Sequence, residues 1–246
     1  MKQEGTGTMI RGLYGAATAL DAAIQNQDNI AQNIAHATVP GYRRTSQAFE
    51  PFDVAFDQAK GGSAFGARAT STFTDFRPGL MSFTGNKLDV ALDGEGFFVV
   101  RGPDGPVYTR DGAFVRDQDG QVTTRGGRPI LGTDNTPLTI PGTAGDVRIG
   151  PDGTIRADGA VVGQFRLVNF ADPRQLVRAG TTGFAAPAGT EPSDSAASVR
   201  QGYREGANVE VATEMVNMIR GSRYFEAAQR ALRTLSESIQ LNTRPQ

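Results

Sequence analysis

The sequence predicts an α+β fold, with long N- and C-terminal helices forming a coiled-coil domain and an all-β central domain between them. Three observations carry this expectation. Apolar residues near both ends recur at alternating steps of three and four. Proline is absent from both of those stretches. Between them, Asp-Gly pairs punctuate short β-forming runs, a strong local hairpin signal.

The elements follow in order. Residues 1–8 read as a polar leader, with Lys2 and Glu4 and no apolar segment behind them. No secretory signal peptide is therefore expected, and Met9 is a candidate alternative start. Residues 9–44 read as a helix and its closing turn. Leu13, Ala17, Leu20, Ile24, Gln27, Ala31 and Ile34 mark a seam of about three heptads, with polar Gln27 as a candidate register-setting residue. Thr38-Val39-Pro40-Gly41 ends the helix, because proline cannot continue it and glycine favours a turn. Residues 45–72 read as a flexible connector.

Residues 73–204 read as the β-rich domain. Strands are expected at Phe97–Val100, Ala113–Arg116, Gln121–Thr124, Val147–Ile149 and Gln164–Phe170. The turns fall at Asp93-Gly94, Asp104-Gly105, Asp111-Gly112, Asp119-Gly120, Asp152-Gly153 and Asp158-Gly159. Turn signals at this spacing suggest a sandwich or barrel-like domain. A second flexible stretch is expected at 180–198, rich in Pro, Ala, Gly and Ser.

Residues 205–246 read as the C-terminal helix. Asn208 is a candidate N-cap, and Glu210 and Glu214 favour the positive helix start. Val211, Met215, Met218, Ser222, Phe225, Ala228, Leu232, Leu235 and Ile239 form its seam. Gly221 is a weak point, costing about 1 kcal/mol relative to alanine. The simplest partner for each seam is the other terminal helix, in parallel or antiparallel orientation. Ile10, Tyr14, Ile30, Val216, Ile219 and Tyr224 lie outside the seams. Burying one such side chain is worth about 1.5–3 kcal/mol, so neighbouring copies of the chain are expected to cover them.

Composition narrows the function classes. The chain has 246 residues, 38% of them hydrophobic, and a formal net charge of -1. This balance gives no electrostatic argument for nucleic acid or an anionic membrane. No stretch approaches the roughly 20 apolar residues of a membrane span, so no membrane insertion is expected. Cysteine is absent and His36 is the only histidine, which removes thiolate catalysis and leaves a histidine triad or metal site one member. His36 reads as a solvated or dipole-compensating residue at a helix C-terminus rather than a metal ligand.

The remaining chemical motifs read as structural. Asp117-Gln118-Asp119-Gly120 lacks the later ligands of a calcium loop and reads as a hairpin turn. Asp93 and Glu95 are close enough in sequence for glycosidase acid/base work, but lie among glycines with no aromatic platform. Gly94-Glu95-Gly96 lacks the third glycine and following helix of a dinucleotide site. Arg43 and Arg44 read as solvated or inter-subunit ion-pair residues. No catalytic, cofactor or metal site and no small-molecule substrate are expected.

Three blocks resemble the flagellar rod and hook protein family. The first is Asn29 to Arg44, containing Asn33, Pro40, Gly41 and Tyr42. The second is Gly79 to Phe98, containing Gly85, Asn86, Leu88, Asp89, Gly94, Gly96, Phe97 and Phe98; it continues as Tyr108 to Phe114. The third is Gly206 to Ile219, containing Asn208, Val209, Met215 and Val216. The family often has asparagine at the positions of Gln32 and His36. The Met215–Ile219 and Arg223–Glu226 runs, with the modest length, look more like the proximal than the distal rod type.

The resemblance implies a non-enzymatic structural subunit of the flagellar basal-body rod. It implies export by the flagellar type III apparatus, polymerisation with copies of itself and other rod subunits in the periplasm, and torque transmission to the hook. It also implies that the two helical seams are the assembly interface. A reading of a different class is a secreted β-rich binding or tail-fibre-like module. That would need a ligand surface on the β domain and dispensable termini.

Overall fold

Short β-forming runs between glycine turns fill the middle of the chain, and a helix stands at each end. A computed structural model describes residues 2–49 and 69–243; the side chains of 2–14, 16, 49, 69–71, 235 and 238–243 fall outside the description. Most of the expected connector, and the side chains of Leu13, Leu235 and Ile239, therefore lie outside the described residues. Two compact units are present. The first comprises residues 1–35, 45–74 and 210–246, and the second 36–44 and 75–209.

The first unit contains helix α1 (Lys2–Ala35), strands β1 (Thr45–Phe49) and β2 (Ala69–Thr74), and helix α2 (Val211–Thr243). Strands β1 and β2 pair antiparallel, from Thr45 opposite Thr74 to Phe49 opposite Ala69. On α1 the buried residues are Ala22, Ala23, Ile30 and Asn33. On α2 the buried residue is Glu214, followed by a half-buried line through Met218, Ser222, Phe225 and Leu232.

The expected α+β fold with a coiled-coil domain is overturned by this packing. The largest part of the described chain is the β-rich central unit, with one α-helix at each end. The line α1 buries passes through Ala23, Ile30 and Asn33, one residue out of frame with the seam read from sequence. Ile24 of that seam is 43% exposed. A heptad seam needs branched or long apolar knobs on both helices. Here the buried residues are alanine, one isoleucine and two polar groups. The β1–β2 ribbon belongs to the same compact unit as the helices, so this is not a coiled-coil domain.

The second unit is built from antiparallel strands. In chain order they are β3 (Met81–Phe83), β4 (Val90–Asp93), β5 (Phe97–Arg101), β6 (Pro106–Thr109), β7 (Phe114–Arg116), β8 (Val122–Thr124), β9 (Val147–Ile149) and β10 (Thr154–Ala157). There follow β11 (Ala160–Gln164), β12 (Leu167–Asn169), β13 (Val177–Arg178), β14 (Gly183–Ala185), β15 (Ser193–Asp194), β16 (Ser198–Gln201) and β17 (Tyr203–Glu205). The largest sheet has the order β13-β14-β6-β5-β12-β15. Strands β14 and β15 fall within the stretch expected to be flexible.

Strand β5 shows why the core sits where it does. Successive side chains of a strand point to opposite faces. Phe98 and Val100 enter a cluster with Val90, Phe114, Ile130, Ile155 and Val199, while Phe97 and Val99 enter another with Tyr108, Phe170 and Phe184. The apolar run is continuous because both faces are buried. The turn between β10 and β11 places Asp158 at φ 48° and Gly159 at φ 88°. These are the two left-handed positions a tight hairpin of matching twist requires.

Candidate assembly site

The helical unit is joined by polar contacts at its buried line. Asn33 donates from Nδ2 to the Thr45 carbonyl at 2.8 Å and accepts at Oδ1 from the Thr45 amide at 2.9 Å. Its Nδ2 also lies 3.4 Å from Glu214 Oε2. Farther along, Gln27 Nε2 donates to Ser222 Oγ at 3.2 Å, across 195 residues of sequence. A polar pair inside a helix contact fixes register at some cost in stability.

The remaining seam residues are distributed unevenly. Ala17 and Ala31 are exposed, and Leu20 and Ile34 are half-buried. On α2, Val211 is 37%, Met215 53% and Val216 47% exposed, and Ile219 stands 57% exposed beside them. Val211, Met215 and Ile219 are spaced four apart, so they line one face of the helix. Nothing in the described unit covers that face.

In the β unit, the segment after α1 and the segment before α2 meet. The Gly41 amide donates to the Glu205 carbonyl at 2.9 Å, and the Asn208 amide to the Tyr42 carbonyl at 3.4 Å. Gly41 has φ 67°, and a β-carbon there would collide with the backbone of Arg110 and Asp111. Only glycine meets both demands. Asn208 bonds within this junction rather than to the start of α2 at Val211: its Oδ1 accepts from the Arg44 amide at 2.6 Å, and its Nδ2 donates to the carbonyls of Asp75 at 2.8 Å and Arg77 at 3.0 Å.

Under this junction lies a buried charge cluster. Arg43 Nη2 donates to Glu205 Oε1 at 2.6 Å, both side chains being 1% exposed. Arg110 Nη1 approaches Glu205 Oε2 at 3.4 Å, and its Nη2 donates to the Gly94 carbonyl at 2.7 Å. The Gly79 amide donates to Glu205 Oε1 at 2.9 Å. Arg178 lies over the Tyr42 ring at 5.0 Å, a cation–π distance, and donates to the Arg43 carbonyl at 2.6 Å. Burial lowers the affinity of Arg110 and Arg178 for their protons. His36, read as solvated, packs its ring 5.1 Å from that of Tyr42.

The motif residues of the second block serve the same unit. Buried Asp89 accepts from Arg204 Nη2 at 2.7 Å, and Asn86 Oδ1 accepts from the Leu88 amide at 3.2 Å. Gly85 and Gly94 are exposed turn residues, and Gly96, Phe97 and Phe98 are buried. Pro40 and Val209 are half-buried. Asp93 pairs with Arg200, whose Nε donates at 2.9 Å. Burial pushes the Asp111 carboxyl above its ordinary range. Sequence reasoning missed Glu205, Arg110 and Arg178. No local pattern singles them out: Glu205 stands in Arg204-Glu205-Gly206 and Arg110 in Thr109-Arg110-Asp111.

The fold and site define a class first: a β-rich structural subunit, joined through its own two end segments and carrying an uncovered apolar helix face. Residues 91–157 match the family described as the flagellar hook protein FlgE/F/G D1 domain, and residues 200–242 the flagellar basal body rod FlgEFG protein C-terminal region. The flagellar basal-body rod protein FlgG of Buchnera aphidicola subsp. Schizaphis graminum is 33% identical, over 94% of this chain and 98% of that one. The flagellar basal-body rod protein FlgF of Mesorhizobium japonicum is 32% identical, over 92% of this chain and 93% of that one. FlgG of Bacillus subtilis is 28% identical over 94% of this chain and 97% of its own length. The chain belongs to the flagellar basal-body rod protein family, of FlgF or FlgG type. It is a structural subunit of the basal-body rod and not an enzyme.

Proposed function

We propose that this subunit polymerises with copies of itself and with other rod proteins by burying the outer face of α2 and the seam residues of both helices against neighbours. The observation that carries the reading is the exposed line Val211, Met215, Val216 and Ile219. Each such side chain gains about 1.5–3 kcal/mol on full burial, so several together offset much of the cost of ordering the interface. Torque is then shared by many helix contacts, and export by the flagellar type III apparatus precedes this step. We place the chain in the proximal part of the rod, on its Met215–Ile219 and Arg223–Glu226 runs.

The test is Ile219→Asp in cells that build flagella. The isolated variant keeps the melting temperature of the unchanged protein, because Ile219 is 57% exposed. It is lost from purified basal bodies, and motility with it. Normal incorporation of the variant contradicts the reading.

A further inference from the structure

The last segment of the β unit, residues 198–208, reaches most of the rest of it. Strand β4 buries Val90, Ala91 and Leu92, and among the described residues the one strand laddered with it is β16. Strand β3 likewise pairs with β17. Val199 of β16 sits in the cluster of Val90, Leu92, Phe98 and Ile155, and its amide donates to the Pro151 carbonyl at 2.8 Å. The Gln201 side chain bridges two further segments. Its Oε1 accepts from the Ile149 amide at 3.1 Å, and its Nε2 donates to the carbonyls of Lys87 and Val147, each at 2.9 Å.

The buried charges point the same way. Among the described residues, those of the β unit are Arg43, Asp89, Arg110 and Glu205. Every ion pair they make has one member in β17: Arg204 meets Asp89, and Glu205 meets both Arg43 and Arg110. These pairs span 115, 162 and 95 residues of sequence. A buried charge without its partner is strongly destabilising, and a buried strand without its ladder leaves backbone groups unpaired. The six-stranded sheet contains no residue of 198–208, so it is the part that could form ahead of them. Yet Phe98 and Val100 of its strand β5 pack with Val90, Leu92 and Val199. One of its faces is therefore completed by β4 and β16.

We infer that residues 198–208 are a closing strap, without which the rest of the β unit has no stable fold. The unit folds in one step, and only when 41–44 and 198–208 are both present. Closing such long loops costs chain entropy before any contact repays it, so partial chains gain little. The consequence for function rests on the export reading above. A chain threaded from either end carries no folded β unit until almost all of it has passed.

Native-state hydrogen exchange on the full chain tests the strap without the export apparatus, so its outcome is independent of the assembly and export reading. Amides of β5 and β6 and amides of β16 and β17 are expected to exchange through one common opening. Glu205→Gln, and separately Arg204→Gln, are expected to speed both sets by the same factor, at least tenfold. Faster exchange confined to β16 and β17 overturns the inference, because the segment is then a flap on a sheet that stands without it. No change in either set overturns it too. Where a variant does not fold, the unchanged chain decides by pulse labelling during refolding. The two sets are expected to gain protection at a single rate, and protection of β5 and β6 at least tenfold ahead of β16 and β17 overturns the inference.

Discussion

Glu205 is the residue on which the β unit turns. It receives two arginines and a backbone amide while 1% exposed. Breaking a buried ion pair by removing one partner costs about 3–5 kcal/mol, because the other charge stays buried. Glu205→Ala strands two arginines and is expected to lose at least that much in denaturant unfolding of the whole chain. A loss under 1 kcal/mol would mean that the cluster relaxes into water. Asp111 behaves in the opposite sense. Burial raises its folded pKa above the unfolded value of about 3.9. The folded state therefore holds the proton more tightly, and stability falls as pH rises from about 4 through the folded pKa. Asp111→Asn removes that penalty and keeps an acceptor for the Ala113 amide, now 3.0 Å from the carboxylate. The variant is expected to be more stable than the parent at pH 7, with the advantage gone below about pH 4 in paired thermal melts.

At the scale of elements, legibility followed the range of the signal. Phe97 to Val100 and the Asp158-Gly159 turn are local, set by β-branched and aromatic side chains and by positive φ, and one sequence displays them. Glu205 and Arg43 stand 162 residues apart, and nothing local in either predicts the other. The frame of α1 failed for a different reason. Its apolar residues are sparse among Ala, Gln and Asn, so several heptad frames score nearly alike. Asn33 chose between them by bonding both backbone groups of Thr45, a contact outside any helix-periodicity argument. That choice turned Ile30 inward and Ile24 outward. Gln27 and Ser222, read as polar members of two seams, bond to each other. Gln27→Leu removes this register-setting pair. It is expected to change melting by less than a core substitution and to broaden the disulfide partners trapped between α1 and α2, read by cysteine scanning.

At the scale of the whole molecule, the chain holds two kinds of order. The β unit buries two phenylalanine-rich clusters and ties its end segments together through Gly41, Glu205 and Asn208. The helical unit leaves an apolar line on α2 in water. Marginal helices gain most of their stability from tertiary packing, so α2 is expected to reach its full stability only in the rod. Hydrogen exchange of the Val211–Thr243 amides, compared between dilute monomer and purified basal bodies, measures this directly. The account predicts rapid exchange along α2 in the monomer, slow exchange in the β unit, and strong protection of α2 once assembled. Equal protection of α2 in both states would contradict it.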